Sequence, residues 1–341
     1  MKFILINIIV ALFSLNCFSQ NNTDDIKKII PPEDGVYFGA FTCGSTEDSV
    51  TIDRLNEIKN IAGFTPAWIY FSNNWFEKIK FPSAEVKIIN DFGSVPFIRL
   101  MPRTNFNEKK PDPVYTLQKF IKGDFDRELK KWADDARDSD IPLMVEFGTE
   151  VNGNWFPWSG TQNGKDPQRF IDAYRHIIEL FKNESANNIT WVFHIDANSE
   201  PDEEWNKMSL YYPGDDYIDW IGVSIYGAQN PNDETDNFIE TFDNTYKEMC
   251  LITSNKPMAI VEFGTVENSV KEIKPAWNRS VFESEKENRY PGVKALSYWH
   301  SIWENDDGSI SNMRLDSSPE VLKMAKEILS DDFFRQKINL K

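Results

Sequence analysis

Eight apolar runs of strand length, most of them separated by helix-like segments, constrain this fold more than any other feature of the chain. They lie at Val36–Phe41, Ala67–Phe71, Val95–Leu100, Pro142–Phe147, Ile189–His194, Ile218–Ser224, Met258–Phe263 and Lys294–Trp299. Each is close to continuous in apolar residues instead of alternating with polar ones. A strand reads that way when both its faces are covered, as in a parallel sheet under helices. Between the runs lie apolar faces at helical spacing. Val50, Ile52, Leu55, Ile58 and Ile61 form one, with Asp48 and Ser49 as capping residues. Phe125, Leu129, Trp132 and Ala136 form another, and Phe170, Ala173, Ile177 and Leu180 a third, with Pro167 near its start. Phe238, Phe242, Tyr246 and Met249 continue the series, and Pro319, Val321, Leu322, Ala325 and Ile328 close it. This alternation predicts an α/β fold of a single domain, a TIM (β/α)8 barrel. An open doubly wound sheet usually shows a Gly-rich phosphate turn after its first strand, and YFGAFTCGS has no G-x-G-x-x-G.

The N-terminus carries an address. Lys2 precedes the apolar run FILINIIVALFSL, which is short for a membrane span, and Cys17-Phe18-Ser19-Gln20 follows. We expect residues 1–20 to be a signal peptide, 21–34 a loose leader and 35–335 the barrel domain, on a protein that is secreted, periplasmic or held at the cell surface. Beyond the signal only Cys43 and Cys250 remain, so there is no disulfide framework. The formal charge of −17, from 54 acidic against 37 basic residues, argues against nucleic acid or anionic lipid as a partner.

Chemistry concentrates in two places. In IPLMVEFGTEVNGNWFPWSG, an apolar run ends at Phe147–Gly148 and is followed by Glu150 and a loop loaded with Asn152, Asn154, Trp155 and Trp158. Far downstream, PMAIVEFG is again apolar and delivers Glu262. In a barrel both would end strands and meet at the C-terminal face, where the longer strand-to-helix loops gather. Two carboxyls so placed fit glycoside hydrolysis, one donating a proton to the leaving oxygen and one ionised. A separation of about 5–5.5 Å would imply a covalent intermediate and retention. Asparagine amides suit sugar hydroxyls, and indole rings offer flat apolar platforms. Glu146, four residues before Glu150, faces the same way deeper in the barrel and needs a partner, for which Arg99 is the candidate. His194 could reach the cleft or support it from behind. Trp75 and Trp303 are weaker platform candidates. Three scattered histidines and the two cysteines supply no zinc motif, and no G-x-S-x-G elbow or P-loop occurs. Asn305-Asp306-Asp307-Gly308 is too short for an EF-hand loop and reads as a turn.

TEVNGNWFPWSG resembles the acid/base motif of glycoside hydrolase family 26, best known for secreted β-mannanases, and KPMAIVEFG resembles its nucleophile strand. The likeness continues through GVYFGAF, VPFIRLMP, NITWVFH, YYPGDDYIDWIGVSIYG and ALSYWHSIW. The resemblance implies Glu150 as proton donor and Glu262 as nucleophile, with no cofactor. It also implies Trp155 stacking near the cleavage point, Tyr226 bonding to the nucleophile and Trp299 flooring the sugar site. One departure stands out: the family's mannanases usually place His before the acid/base, and here Thr149 is there. The expectation is therefore a retaining endo-hydrolase of β-1,4-mannan, a β-linked polysaccharide being its partner. Xylan or mixed-linkage glucan, and a non-catalytic carbohydrate-binding barrel, are the alternatives.

Overall fold

The computed structural model describes residues 27–44, 46–268 and 270–341; the expected signal peptide lies outside them. Eight strands form a closed barrel in chain order. They are β1 (Tyr37–Phe41), β2 (Trp68–Asn74), β3 (Val95–Met101), β4 (Leu143–Phe147), β5 (Ile189–Asp196), β6 (Trp220–Tyr226), β7 (Met258–Gly264) and β8 (Val293–Trp299). Every neighbouring pair is parallel, and β8 pairs with β1 to complete the circle, from Tyr37 opposite Ala295 to Phe41 opposite Trp299. Burial on both faces explains the unbroken apolar runs. All five residues of β4, including Glu146, are buried, as are all seven of β7, including Glu262.

The outer layer comprises α1 (Ile52–Ala62), α2 (Ser83–Phe92), a short α3 (Leu117–Ile121), α4 (Asp126–Ser139), α5 (Pro167–Asn183), α6 (Phe238–Ile252), α7 (Ile273–Lys286) and α8 (Pro319–Leu329). Side chains cap several N-termini, accepting from backbone N–H groups that the first helical turn leaves unpaired: Thr51 for α1, Asp166 for α5, Asn237 for α6 and Ser318 for α8. The cap of α1 is thus Thr51 and not the expected Asp48 or Ser49; Asp48 instead accepts from Asn74. Among the described residues no α-helix lies between β5 and β6. Three short 3-10 turns take its place, and the buried Met208 and Tyr211 of the middle turn plug the slot between α5 and α6.

The barrel is filled, not hollow. Trp68 packs edge-on against Tyr37 and Phe97, at 6.1 and 6.0 Å between ring centroids. A Cβ at Gly39 would stand 2.1 Å from the Trp68 indole nitrogen, so only glycine fits opposite that ring. Below it the expected loose leader is tied down along its described part. Ile29–Ile30 pairs antiparallel with Asn339–Leu340, so ordered chain extends past the expected limits of 35 and 335. The Ile29 N–H donates to Thr190 Oγ1 and its carbonyl accepts from Trp220 Nε1, while Lys28 pairs with Asp219 at 2.7 Å. These partners sit at strand N-termini, so the strap seals the end of the barrel away from Glu150 and Glu262.

Candidate active site

The opposite end opens into a cleft of about 580 Å³ lined by Glu150, Glu262, Arg99, Trp155, Asp196, Tyr226, Trp299 and Trp303, among others. The two glutamates reach it differently. Glu150 stands three residues past β4, on a turn where Gly148 has φ +67° and Glu150 itself φ +50°. That left-handed geometry is costly for a residue with a Cβ, and it swings the carboxyl out of the strand's line. A Cβ at Gly148 would meet the Phe170 ring at 2.6 Å, so the turn is locked by packing. Trp155 Nε1 donates to Glu150 Oε2 at 2.7 Å and holds one carboxyl oxygen in place.

Glu262 lies inside β7. The β6–β7 register slips between Val223, opposite Ile260, and Ser224, opposite Glu262, so Val261 is an extra residue. Such a bulge re-aims the side chains beside it. The carboxyl is 3% exposed. Tyr226 donates to Oε2 at 2.7 Å and Tyr70 to Oε1 at 3.0 Å, while Arg99 Nη2 stands 3.5 Å from Oε1. Burial pushes the Glu262 carboxyl up to about 7; the Arg99 charge opposes this, Glu150 reinforces it, His194 opposes it and Glu146 reinforces it.

Beneath Glu262 lies a closed polar layer. Glu146 accepts from Tyr70 and faces Arg99 Nε at 3.6 Å, so Arg99 is shared between two carboxylates. The guanidinium lies 5.4 Å from the Tyr70 ring and 5.3 Å from the Trp299 ring, beside two rings that meet edge to face. His194 is 1% exposed, does not line the cleft, and bonds through both ring nitrogens. Trp299 lies flat on Phe41 at 3.6 Å and 4°, which fixes its ring as one wall of the cleft.

Of the residues expected to touch sugar, Trp155, Tyr226 and Trp299 line the cleft together with both glutamates. Asn152 and Trp158 do not. The Asn152 side chain is consumed by the neighbouring loop: its amide donates to the Asp196 carbonyl and Ser199 Oγ, and its oxygen accepts from the Asp196 N–H. Trp158 packs flat on Phe156 at 4.6 Å, and its Nε1 donates to the Thr149 carbonyl. Both therefore shape the turn that presents Glu150. Trp75 is fully buried among Tyr115 and Phe120, whereas Trp303 does reach the cleft. Sequence reasoning overlooked Tyr70, Asp196, Gln229 and Phe106. A tyrosine hydroxyl in the middle of the apolar run at Ala67–Phe71 was the available signal for the first.

The chain is similar to several proteins of known sequence and structure. It is 23% identical over 96% of its length to endoglucanase H of Acetivibrio thermocellus, though it spans only 33% of that protein. It is 23% identical to a mannan endo-1,4-β-mannosidase of Bacillus subtilis, over 80% of this chain and 76% of that one. The catalytic domain of an endo-β-1,4-mannanase from Bacillus sp. JAMB-750 superposes with a TM-score of 0.64 at 18% identity, over 88% of this chain and 87% of that one, and so shares the fold. Residues 111–307 match the family profile described as Glycosyl hydrolase family 26, which takes in β4 to β8 and both cleft glutamates. The chain belongs to glycosyl hydrolase family 26.

Proposed function

We propose that this protein is a secreted, retaining glycoside hydrolase that cleaves internal β-1,4-mannosidic linkages of mannan-type hemicellulose. The observation that supports it most is the pairing of Glu150 and Glu262 in one cleft, each held by a ring donor, Trp155 for the first and Tyr226 for the second. Glu262 attacks the anomeric carbon from one side while Glu150 protonates the departing glycosidic oxygen, giving a glycosyl ester on Glu262. Water, deprotonated by Glu150, then displaces the ester and returns Glu262 as carboxylate. Tyr70 and Tyr226 place hydroxyl donors on the two oxygens of Glu262, which leaves its electron density defined in direction. The Trp299 face offers the apolar surface on which a pyranose ring rests.

A second substrate reading has its own support: the relative matched over 96% of this chain is called an endoglucanase. Thr149, which stands before Glu150 where family mannanases carry His, is buried against His194 and does not line the cleft, so that position offers no side chain to the sugar.

The deciding experiment measures reducing-sugar release from mannan, galactomannan, glucomannan, xylan and mixed-linkage glucan. The anomer first formed is read by proton NMR, and Glu262→Ala is run alongside. Release from mannans with retention, abolished in the variant, is the expected result. Release from xylan or glucan alone would move the substrate and keep the mechanism. Binding without release from any polymer would make this a non-catalytic barrel.

A further inference from the structure

Among the described residues Arg99 is the only basic side chain within ion-pair distance of Glu146 and Glu262 other than one histidine, and it cannot neutralise both carboxylates. Nor can Tyr70: its single hydroxyl proton is shared between Glu146 Oε1 and Glu262 Oε1. All three carry almost no exposed surface, so water offers little relief. Two buried negative charges against one positive would be a heavy burden in a medium of low dielectric. The histidine is His194, on β5. Its Nδ1 lies 2.8 Å from Glu146 Oε2 and 2.7 Å from Thr149 Oγ1, and its Nε2 lies 2.7 Å from Ser224 Oγ. Every close partner of the ring is therefore an oxygen able to accept, and a carboxylate can do nothing else.

We propose that His194 is a positioning residue that carries a positive charge in the resting protein, and that this charge lets Glu146 and Glu262 be ionised side by side. The groups that bear on it come from every strand around it. They are the Tyr70 hydroxyl from β2, Arg99 from β3, Glu146 from β4 with Thr149 and Glu150 beyond it, Asp196 from its own strand, Ser224 from β6 and Glu262 from β7. Burial pulls the imidazole toward its neutral form, but the charges of Glu146, Glu262 and Glu150 outweigh it, and the net shift is upward. The cluster then balances, with Arg99 and His194 against Glu146 and Glu262. Ser224, which accepts from Nε2–H, stands opposite Glu262 in the ladder, so the imidazolium is coupled to the strand that holds the nucleophile. The kinetic part of this inference rests on the function proposed above; the charge on the ring does not.

Two measurements on the full chain test it. Imidazole 15N NMR is assigned by comparison with His176→Gln and His194→Gln. It should show both His194 nitrogens protonated at pH 7, above the ordinary imidazole value of about 6.5. A neutral-tautomer pattern there overturns the proposal, whatever the protein's activity. In pH profiles of kcat/KM, His194→Gln should move the acid limb to higher pH by about one unit, because Glu262 loses a neighbouring positive charge. Glu146→Gln should leave that limb close to its place, since the histidine loses its charge together with the carboxylate. The reverse pattern, an unmoved limb in His194→Gln and a lowered one in Glu146→Gln, would show a neutral ring. A drop uniform across pH in His194→Gln would show a role in packing alone. If no polymer is cleaved by the unaltered protein, the proposed function fails, and the NMR result still decides the charge.

Discussion

The turn after β4 and the middle of β7 each deliver a glutamate to the same cleft, by opposite means. Glu150 sits on a left-handed turn outside its strand, with one protein donor, Trp155, on one oxygen. Glu262 sits within its strand at a bulge, with tyrosine donors on both oxygens and Arg99 beside it. The contrast suits two different duties. A group that must give up and retake a proton needs one oxygen left open to substrate and water. A nucleophile must be aimed along one line, and three partners from three strands over-determine that line. Charge is handled in the same spirit, since the balancing cations sit under Glu262 and not under Glu150.

Breaking the better-held side should cost most. Glu262→Ala should lower kcat by at least about 10⁴-fold on a polymer, because the side chain that forms the ester is gone; steady-state turnover and the absence of any glycosyl ester in a single turnover check this. Glu150→Ala should lose about 10²–10⁴-fold on a polymer. It should lose far less in ester formation from an aryl glycoside whose leaving group needs no proton, and added azide should restore turnover by replacing the water that Glu150 activates. Equal losses on both substrates would undo the division of labour. pH sharpens the comparison without a mutation. In the proposed reaction Glu262 must be ionised to attack, and its carboxyl is pushed up to about 7, so kcat/KM should fall about tenfold per unit below that pH. An acid limb near 4.5 would mean that Arg99 and the tyrosines outweigh burial. Tyr226→Phe removes a hydrogen bond to a charged oxygen and should lower kcat/KM by about 10–100-fold. Trp155→Phe keeps a ring but loses the Nε1–H on Glu150, and should cost about 2–10-fold.

The barrel was legible in the sequence because burial on both faces leaves a strand no polar side, and eight such strands are hard to disguise. Its outer layer was less so. α7 (IKPAWNRSVFESEK) buries Lys274, Asn278 and Glu285, which blurs the apolar face that periodicity looks for. The ammonium of Lys274 is satisfied by the Asn312 and Arg314 carbonyls and Ser317, partners that no local pattern reveals. The terminal strap escaped notice for a related reason: Ile29 pairs with Leu340, at the far end of the chain. In the site, residues next to the glutamates in sequence were credited with touching sugar. Asn152 and Trp158 show why adjacency misleads, since a turn needs residues that hold its shape as well as residues that face the ligand. Tyr70 shows the converse. It stands far from both glutamates in sequence yet bonds toward both Glu146 and Glu262, because a closed barrel brings β2 opposite β4 and β7.

The strap formed by Ile29–Ile30 and Asn339–Leu340 has a practical corollary. Both described ends of the chain leave the molecule together, on the side facing away from the cleft. An affinity handle, a fluorescent reporter or a solid support joined at Lys341 would therefore point behind the barrel. An immobilised sample would present its cleft outward, and a long, insoluble polymer could approach it without passing the point of attachment.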